Sequence, residues 1–252
     1  YRSSKRLIPT LLDKPRTGKV AGLMVPPRQF LEDDMTARGV TKQPYHVLVD
    51  GNHGYNPRRD IHAVACYHPL PPRSLIKIDK GFWVTSPELT FIQICADEDL
   101  SDFDIICLGY ELCGTYVLDD SWDGLTCIDE PLTSTEKIGR LINSIHRVPG
   151  IKRARNLIKH VHDLSNSPME TILAMLVSLP TTKGGLGLGP ISLNHPVATP
   201  VGQRRVDIGF PRQRVGLEYQ GKEFHSIEAV GRDARRQNKI VGSGFTILNV
   251  WY

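Results

Sequence analysis

The sequence predicts a chain of mixed helices and strands in two parts, an α+β region over residues 1–163 and a smaller unit over residues 164–252. In the first part, strand-length apolar runs broken by prolines precede a series of helical patterns. In the second part, a helix with a clear start signal precedes two segments in which apolar and polar residues alternate. With 252 residues, 40% of them hydrophobic, the chain can bury the core of one large or two small domains.

Three segments of the first part have the length and composition of β-strands. They are YHVLVD at 45–50, DIHAVACYHPL at 60–70 and SLIKIDKGFWVT at 74–85. Histidines and a cysteine accompany them, namely His46, His53, His62, Cys66 and His68. Their spacing matches no zinc-finger template, and a structural role on one strand face accounts for them.

Four helices are predicted after these strands. The first begins at the Ser-Pro-Glu signal of TSPELTFIQICADE at 85–98, and DFDIICLGYELCGTYVL at 102–118 continues helically. STEKIGRLINSIHR at 134–147 and IKRARNLIKHVHDL at 151–164 are the other two. Strands followed by helices, with no internal repeat, are typical of an α+β module.

The second part begins with a helix whose start signal is complete. Ser167, Pro168 and Glu170 match a capping box with Ser at the N-cap, Pro at N1 and Glu at N3. The glycine-rich run at 184–189 follows Leu-Pro instead of a strand, so we interpret it as a flexible connection into a first strand, ISLNHPV at 191–197.

Two further strands carry an acid each, Asp207 and Glu218, at positions that alternate with apolar residues. Those apolar residues are Val206, Ile208 and Phe210 around the first acid, and Val215, Leu217 and Tyr219 around the second. The acids therefore lie off the core face. A four-residue hairpin loop at 211–214 sets Asp207 opposite Glu218 and Arg205 opposite Gln220.

Directly opposed carboxylates repel each other, so an uncompensated pair would destabilise the hairpin. A divalent cation removes this objection, because carboxylate oxygens are the ligands that Mg²⁺ prefers. The pair therefore suggests a Mg²⁺ or Mn²⁺ site held by Asp207 and Glu218. The alternative interpretation is a solvated strand face on which Arg205 supplies the counter-charge.

An acid on one strand, Glu-x-Lys on the next, then a helix and a further strand resemble the PD-(D/E)XK nuclease family. The likeness covers about residues 165–252 and includes EYQGKEFHS at 218–226, Asp233 and Arg236 on a helix over 227–241, and GSGFTILNVW at 242–251. It is similar to the very-short-patch-repair-like branch. The resemblance implies an α/β restriction-endonuclease-like core, in which helices flank a mixed sheet, and metal-dependent hydrolysis of phosphodiester bonds.

The resemblance also implies roles for single residues. Asp207 and Glu218 hold the metal, and the Tyr219 carbonyl is a further ligand. Gln220 stands where the family has Lys, so it can orient the attacking water but supplies no charge. Glu170 is an acid on the helix before the sheet, although its capping role explains it equally well. His225 is a candidate proton donor or phosphate contact, with surface histidine as the alternative.

Basic residues cluster in two places, although the net charge is only +4. The first cluster lies on a helix and includes Lys152, Arg153 and Arg155. The second crowds the acids and comprises Arg204, Arg205, Arg212, Arg214, Arg232, Arg235, Arg236 and Lys239. Together with Asp233, these clusters predict contacts to nucleic acid, with DNA favoured over RNA. A solvated helix face, and an ion pair between Asp233 and Arg236, are the alternatives.

Composition and a second resemblance predict the cellular location and the biological context of the chain. Five cysteines without a CxxC pair fit a reducing cytoplasm, and no long apolar run or charged leader supports a membrane span or signal peptide. TSPE at 85–88 resembles a feature of the AbiE-type antitoxin group, which implies a bacterial defence or toxin–antitoxin setting. The first part would recognise substrate or a partner, or form a homodimer. A non-catalytic DNA-binding regulator and a structural subunit are the alternative functions.

Overall fold

The structure is a computed structural model, and it describes residues 14–20, 22, 24–25, 27–37, 43–51, 58–67, 69–79, 82–119, 124–200, 202–220 and 240–251. The predicted mixture of helices and strands is confirmed. The chain divides into two compact units, Tyr1–Ala96 with Ile138–Ile151, and Asp97–Lys137 with Lys152–Tyr252. This division differs from the predicted boundary after residue 163. Residues 97–137 and 152–163 belong to the same compact unit as the sheet that follows them in the chain.

The first unit contains two small sheets in its described part. A three-stranded antiparallel sheet has the order β1-β4-β5, and β2 and β3 form a parallel pair. The elements are β1 (Arg16–Thr17), α1 (Arg28–Ala37), β2 (Tyr45–Asp50), β3 (Ile61–Cys66), β4 (Leu75–Asp79), β5 (Phe82–Thr85) and α2 (Pro87–Ile94). The predicted strands at 45–50 and 60–70 are confirmed, while the segment at 74–85 forms two antiparallel strands.

Helix α2 begins where the Ser-Pro-Glu signal predicts. Ser86 is its N-cap, and the Ser86 hydroxyl accepts a hydrogen bond of 3.3 Å from the backbone N–H of Leu89. Pro87 is the first helical residue, where its missing N–H costs no hydrogen bond. The local sequence therefore determines the start of this helix.

Histidines of the first unit form a pair in the structure. His46 on β2 lies opposite His62 on β3, and the ring centroids are 5.0 Å apart. His53 and His68 lie outside the described residues. The pairing agrees with the prediction of structural histidines on one strand face.

The second unit is built on a four-stranded sheet, preceded by helices and a short hairpin. The elements from residue 97 onward are α3 (Asp102–Cys113), β6 (Tyr116–Asp119), β7 (Gly124–Cys127), α4 (Thr135–Ser144), α5 (Ile151–Leu157), α6 (Pro168–Ser178), β8 (Ser192–Thr199), β9 (Gly202–Phe210), β10 (Val215–Gln220) and β11 (Thr246–Trp251), of which α4 belongs mostly to the first unit. Helices α4 and α5 each cross the division between the units.

The prediction that residues 102–118 are helical throughout is wrong. Helix α3 ends at Cys113, Gly114 is extended, and β6 begins at Tyr116 and pairs antiparallel with β7. Aromatic and β-branched residues favour a strand after Gly114. The carboxylate of Glu111 accepts a hydrogen bond of 3.2 Å from the backbone N–H of Leu118, which ties the strand to the helix before it.

The four-stranded sheet has the order β11-β10-β9-β8. Strands β8, β9 and β10 are antiparallel to one another in sequence, whereas β11 is parallel to β10. A parallel pair needs a crossover connection, and residues 221–245 make it. Of the helix predicted at 227–241, the structure describes residues 240 and 241, and both are helical.

Both faces of this sheet are covered. On one face, the buried residues Val197, Val206 and Ile240 pack together, so the helical residue 240 covers the predicted core face of β9. Ile208 and Phe210 are buried as predicted. Helix α6 packs against β9 and β10. The regular alternation along β9 is interrupted at Asp207, since the ladder with β8 omits this residue and Val206 lies beside Gly216, the partner of Gly209.

Candidate active site

The hairpin that carries the two acids has the predicted register. Phe210 pairs with Val215 and Ile208 with Leu217, so the loop at 211–214 has four residues. The same register sets Asp207 opposite Glu218, one step beyond the last ladder pair. Beyond the last ladder pair, the two strands are joined by the Asp207 side chain, whose Oδ2 accepts a hydrogen bond of 2.9 Å from the backbone N–H of Tyr219. Asp207 is therefore fixed across the two strands.

Glu218 is buried, with only 3% of its surface exposed. The alternative interpretation of a solvated strand face is therefore wrong for this residue. Its neighbour in register across the hairpin is Asp207. The fold thus sets two carboxylates at adjacent positions of β9 and β10.

Helix α6 carries a further acid, Glu170, on which the charge of Asp207 acts. The predicted helix start is confirmed with Ser167 at the N-cap, since its hydroxyl accepts a hydrogen bond of 3.2 Å from the backbone N–H of Glu170, whereas the return bond of the predicted capping box goes to Asn166 instead of the Ser167 backbone. The carboxylate of Glu170 in turn accepts hydrogen bonds from Asn166 N (3.0 Å) and Ser167 Oγ (3.2 Å). Capping and proximity to Asp207 are therefore compatible roles for one side chain.

The charge of Asp207 acts on Glu170. Burial, together with repulsion by Asp207, raises the pKa of the Glu170 carboxyl to about 7, although the hydrogen bonds from Asn166 and Ser167 oppose the rise. A carboxyl with a pKa near 7 is only partly ionised at neutral pH.

A buried chain of hydroxyl groups supports the N-terminus of α6. Thr171 Oγ1 lies 3.0 Å from the hydroxyl of Tyr116 and 2.8 Å from Ser165 Oγ, and Ser165 Oγ donates to the carbonyl of Ser167. Burial raises the pKa of Tyr116 to about 12. Sequence reasoning missed this chain because its members are up to 55 residues apart. No local sequence pattern indicates that these hydroxyl groups meet.

Gln220 is held by a residue that sequence reasoning missed. Its Nε2 donates a hydrogen bond of 3.2 Å to Oδ1 of Asn249 on the neighbouring parallel strand β11. In this register Asn249 lies beside Glu218. The contact fixes the amide plane of Gln220, and it leaves Oε1 as an acceptor of a further hydrogen bond.

The donor atoms at this place suit a magnesium ion with few protein ligands. Mg²⁺ is usually bound by one or two carboxylates, with water and substrate phosphate completing its shell. Asp207 and Glu218 supply two carboxylates, and a cation would offset their repulsion. Among residues 14–251, outside the gaps in the description, no three His, Cys, Asp or Glu side chains gather closely enough to hold a metal ion together. Glu170 is therefore not part of a preformed three-acid site.

The basic residues predicted to lie near the acids occupy different places in the structure. Arg205 is exposed, and its guanidinium donates a hydrogen bond of 2.9 Å to the carbonyl of Asn194. Arg212 and Arg214 lie in the hairpin turn, on the opposite side of Asp207 from Arg205 along the strand. Both arginines are thus separated from the acids by the ladder pairs at 208–210 and 215–217. His225, Arg232, Asp233, Arg235, Arg236 and Lys239 lie outside the described residues.

Arg153, on α5, has a structural role. Its guanidinium donates to the Asp102 carboxylate (2.9 Å), to the carbonyl of Asp97 (2.9 Å) and to the carbonyl of Leu100 (2.6 Å). Lys183 also binds Asp102, at 2.8 Å, and Lys183 with Arg153 holds the pKa of Asp102 below its ordinary value. All three nitrogens of Arg153 are engaged within the protein, whereas Lys152 beside it is exposed and Arg155 is half-buried.

We expect Arg153→Gln to lower the free energy of unfolding by about 1–2 kcal/mol, because charge-assisted hydrogen bonds are lost at a half-exposed site. Thermal unfolding measures this. Lys152→Gln is the matched control, and it should leave the melting temperature unchanged. An unchanged melting temperature in Arg153→Gln, together with weaker DNA binding, would restore the predicted role in nucleic-acid binding.

Comparisons of this chain with protein-family models, with curated proteins and with solved structures found no match. No helix within the described ranges is long and apolar enough to cross a membrane. The five cysteines are free thiols.

Proposed function

We propose that this chain is a metal-dependent endonuclease that hydrolyses phosphodiester bonds in nucleic acid, with DNA favoured over RNA. The observation that carries the proposal is the register that sets Asp207 opposite the buried Glu218, one step beyond the last pair of the β9–β10 ladder. Carboxylate oxygens are the ligands that Mg²⁺ prefers, and the ion usually takes one or two of them together with water and substrate phosphate. The pair therefore suits a divalent cation and a phosphate-bearing substrate.

The order of elements around the acids supports the proposal. A helix with an acid in its first turn is followed by three antiparallel strands, and then by a strand parallel to the third. The sequence resemblance to PD-(D/E)XK nucleases implies this series of elements, with acids on the helix and on the second and third strands. Glu170, Asp207 and Glu218 occupy these positions.

Mg²⁺ or Mn²⁺ would be held by Asp207 and Glu218, with the Tyr219 carbonyl as a further ligand. When bound, such an ion lowers the pKa of water and polarises the scissile phosphate. The residues of the chain orient the reactants. Asp207 keeps its place because the N–H of Tyr219 binds it, and Gln220 keeps its amide plane because Asn249 binds it. Oε1 of Gln220 can then accept a hydrogen bond from the attacking water.

Glu170 can move a proton at this site. With a pKa of about 7, its carboxyl takes up or releases a proton near physiological pH. A general acid or base works best when its pKa lies near the operating pH. The proposal therefore gives Glu170 an acid–base role in addition to its capping role.

A direct test incubates the purified protein with plasmid DNA and with single-stranded RNA, in Mg²⁺ and in Mn²⁺. We expect cleavage of DNA that EDTA abolishes. A Glu218→Ala preparation controls for a contaminating nuclease. If wild type and Glu218→Ala cleave alike, or neither cleaves either substrate, the proposal fails.

One observation favours a second candidate, a non-catalytic DNA-binding regulator. The position expected to carry a lysine is Gln220, which is neutral and bound to Asn249. A regulator would bind DNA independently of both acids. Either function is compatible with a bacterial defence or toxin–antitoxin setting. Either is also compatible with a cytoplasmic location, which the free thiols suggest.

Metal titration separates these functions from a purely structural role of the acids. We expect the melting temperature of the wild-type protein to rise with Mg²⁺ or Mn²⁺, since a ligand that binds only the folded state stabilises it. At a hundred times its dissociation constant, the ion would contribute about 2.7 kcal/mol. Asp207→Asn should remove the response. A wild-type melting temperature that stays constant over millimolar metal would favour the structural role.

A further inference from the structure

The residues around the start of strand β6 hold the segment that leads into helix α6. The backbone N–H of Thr115 donates a hydrogen bond of 2.8 Å to the carbonyl of Ser165. One step away, the N–H of Leu164 donates a hydrogen bond of 2.9 Å to the carbonyl of Cys113. The carbonyl of Thr115 accepts a further bond of 2.9 Å from the N–H of Ile128. The backbone of Thr115 is therefore fixed on both sides.

Gly114 explains how closely the two segments approach each other. A Cβ atom at this position would lie 2.7 Å from the carbonyl oxygen of Ser165 and 2.8 Å from that of Tyr110. Because both of these atoms belong to the backbone, only glycine fits without a shift of the chain. The close approach brings the side chain of Thr115 within hydrogen-bonding distance of Asn166.

The hydroxyl of Thr115 binds the residue that in turn binds Glu170. Its Oγ1 donates a hydrogen bond of 2.8 Å to Oδ1 of Asn166, and the carbonyl of Ser165 lies 3.5 Å away. The backbone N–H of Asn166 donates a hydrogen bond of 3.0 Å to Oε2 of Glu170. A bond of this kind is stronger when the acceptor is charged, so it favours the ionised carboxylate. Two hydrogen bonds thus link Thr115 to Glu170 through a single residue.

The next residue of the same strand holds the helix on the other side of Glu170. The hydroxyl of Tyr116 lies 3.0 Å from Oγ1 of Thr171, and both side chains are buried. Residues 115 and 116 therefore hold residue 166, which binds the carboxylate, and residue 171, which follows it in the helix. A group that transfers a proton must keep its orientation toward the substrate, and this arrangement provides for it.

We propose that Thr115 is a positioning residue for Glu170, because its hydroxyl holds Asn166 where the Asn166 N–H orients the Glu170 carboxylate. The inference rests on the proposed function for the acid–base role of Glu170. It gives the start of the β6–β7 hairpin a part in the reaction, at a distance of 55 positions in the sequence from Glu170.

Four variants separate the hydroxyl from the remainder of the residue. Thr115→Val removes the hydroxyl and keeps the size and the backbone hydrogen bonds, whereas Thr115→Ser keeps the hydroxyl. Asn166→Ala removes the acceptor and keeps the N–H that binds Glu170. Thr126→Val is the matched control, because it makes the same chemical change at an exposed position of β7, the partner strand of β6. Melting temperatures establish that all four variants fold.

Hydrogen exchange at the amide of residue 166, followed by NMR in EDTA, measures the bond to Glu170 without any cleavage. We expect Thr115→Val and Asn166→Ala each to lower the protection of this amide about fivefold to tenfold, as expected for one lost hydrogen bond. The double variant should lose no more than either single variant, since both remove the same interaction. Thr115→Ser and Thr126→Val should keep the wild-type protection. Unchanged protection in Thr115→Val, or an equal loss in Thr115→Ser, would overturn the positioning role.

Cleavage kinetics at saturating Mg²⁺ measure the consequence for the proposed reaction. We expect Thr115→Val to lower kcat about threefold to tenfold with KM unchanged, because a misoriented acid–base group slows the chemical step and not binding. Thr115→Ser should restore kcat. A rise in KM alone, or a wild-type kcat in a variant whose amide has lost its protection, would also overturn the role.

The outcome is separable from that of the proposed function. If the wild-type protein never cleaves but the protection at residue 166 depends on the Thr115 hydroxyl, the nuclease is removed and Thr115 is kept as the residue that orients the Glu170 carboxylate. If Thr115→Val cleaves as wild type does and keeps the protection, the nuclease is kept and the positioning role is removed.

Discussion

Glu218→Gln is expected to reduce DNA cleavage by at least about a hundredfold, equivalent to about 2.7 kcal/mol of activation free energy. Glutamine has the size of glutamate, so it fits the buried position, which is 3% exposed, but it removes the negative charge that would hold the metal. We therefore expect the variant to fold, and thermal unfolding in EDTA checks this.

Cleavage rates of supercoiled plasmid, measured at saturating Mg²⁺, check this expectation. Glu130→Gln makes the same chemical change at an exposed position of the same unit and should cleave as wild type does. Asp207→Asn should match Glu218→Gln, because both carboxylates would hold one ion. Cleavage by Glu218→Gln at the wild-type rate would exclude Glu218 from catalysis. If the wild-type protein cleaves no DNA and both variants bind DNA as tightly as it does, the DNA-binding regulator is favoured.

The hairpin was predictable because its signals are local. Alternating apolar residues and a four-residue loop determine which residues pair, and a slip by one position would expose Val206 and Ile208. The start of α2 and the start of α6 were predictable for the same reason, since a Ser-Pro-x-Glu signal acts within one turn. The strand at residues 114–118 was not predictable from local signals. It depends on hydrogen bonds from Thr115 to residue 165 and from Leu118 to residue 111.

The candidate site was predictable in its residues but not in its environment. Asp207 and Glu218 could be placed opposite each other from the register alone. The burial of Glu218 depends on elements that pack over the sheet from elsewhere in the chain, which no periodicity reports. Asn249 approaches Gln220 only because β11 lies parallel to β10, and Arg153 meets Asp102 only through folding of residues 51 positions apart. Such long-range contacts decide which polar residues remain available to a substrate.

Glu170→Gln is expected to stabilise the metal-free protein at pH 8 and to have little effect at pH 5. Burial and the charge of Asp207 raise the pKa of Glu170 to about 7, above its ordinary value of 4.5. Between these values the folded state binds more protons than the unfolded state, so stability falls as pH rises. At pH 5 the carboxyl is neutral and resembles glutamine, whereas at pH 8 its charge costs roughly 2 kcal/mol.

Thermal unfolding in EDTA at the two pH values measures the difference. A gain of about 2 kcal/mol corresponds to roughly 4–8 °C in a chain of this size. The Ser167 hydroxyl accepts its hydrogen bond from the backbone N–H of residue 170, which glutamine retains, so the helix start is kept. Asp207→Asn should also reduce the pH dependence, because it removes one of the two causes of the raised pKa, while Glu130→Gln should leave it unchanged. A stabilisation by Glu170→Gln that is equal at pH 5 and pH 8 would contradict the raised pKa, and with it the acid–base role of Glu170.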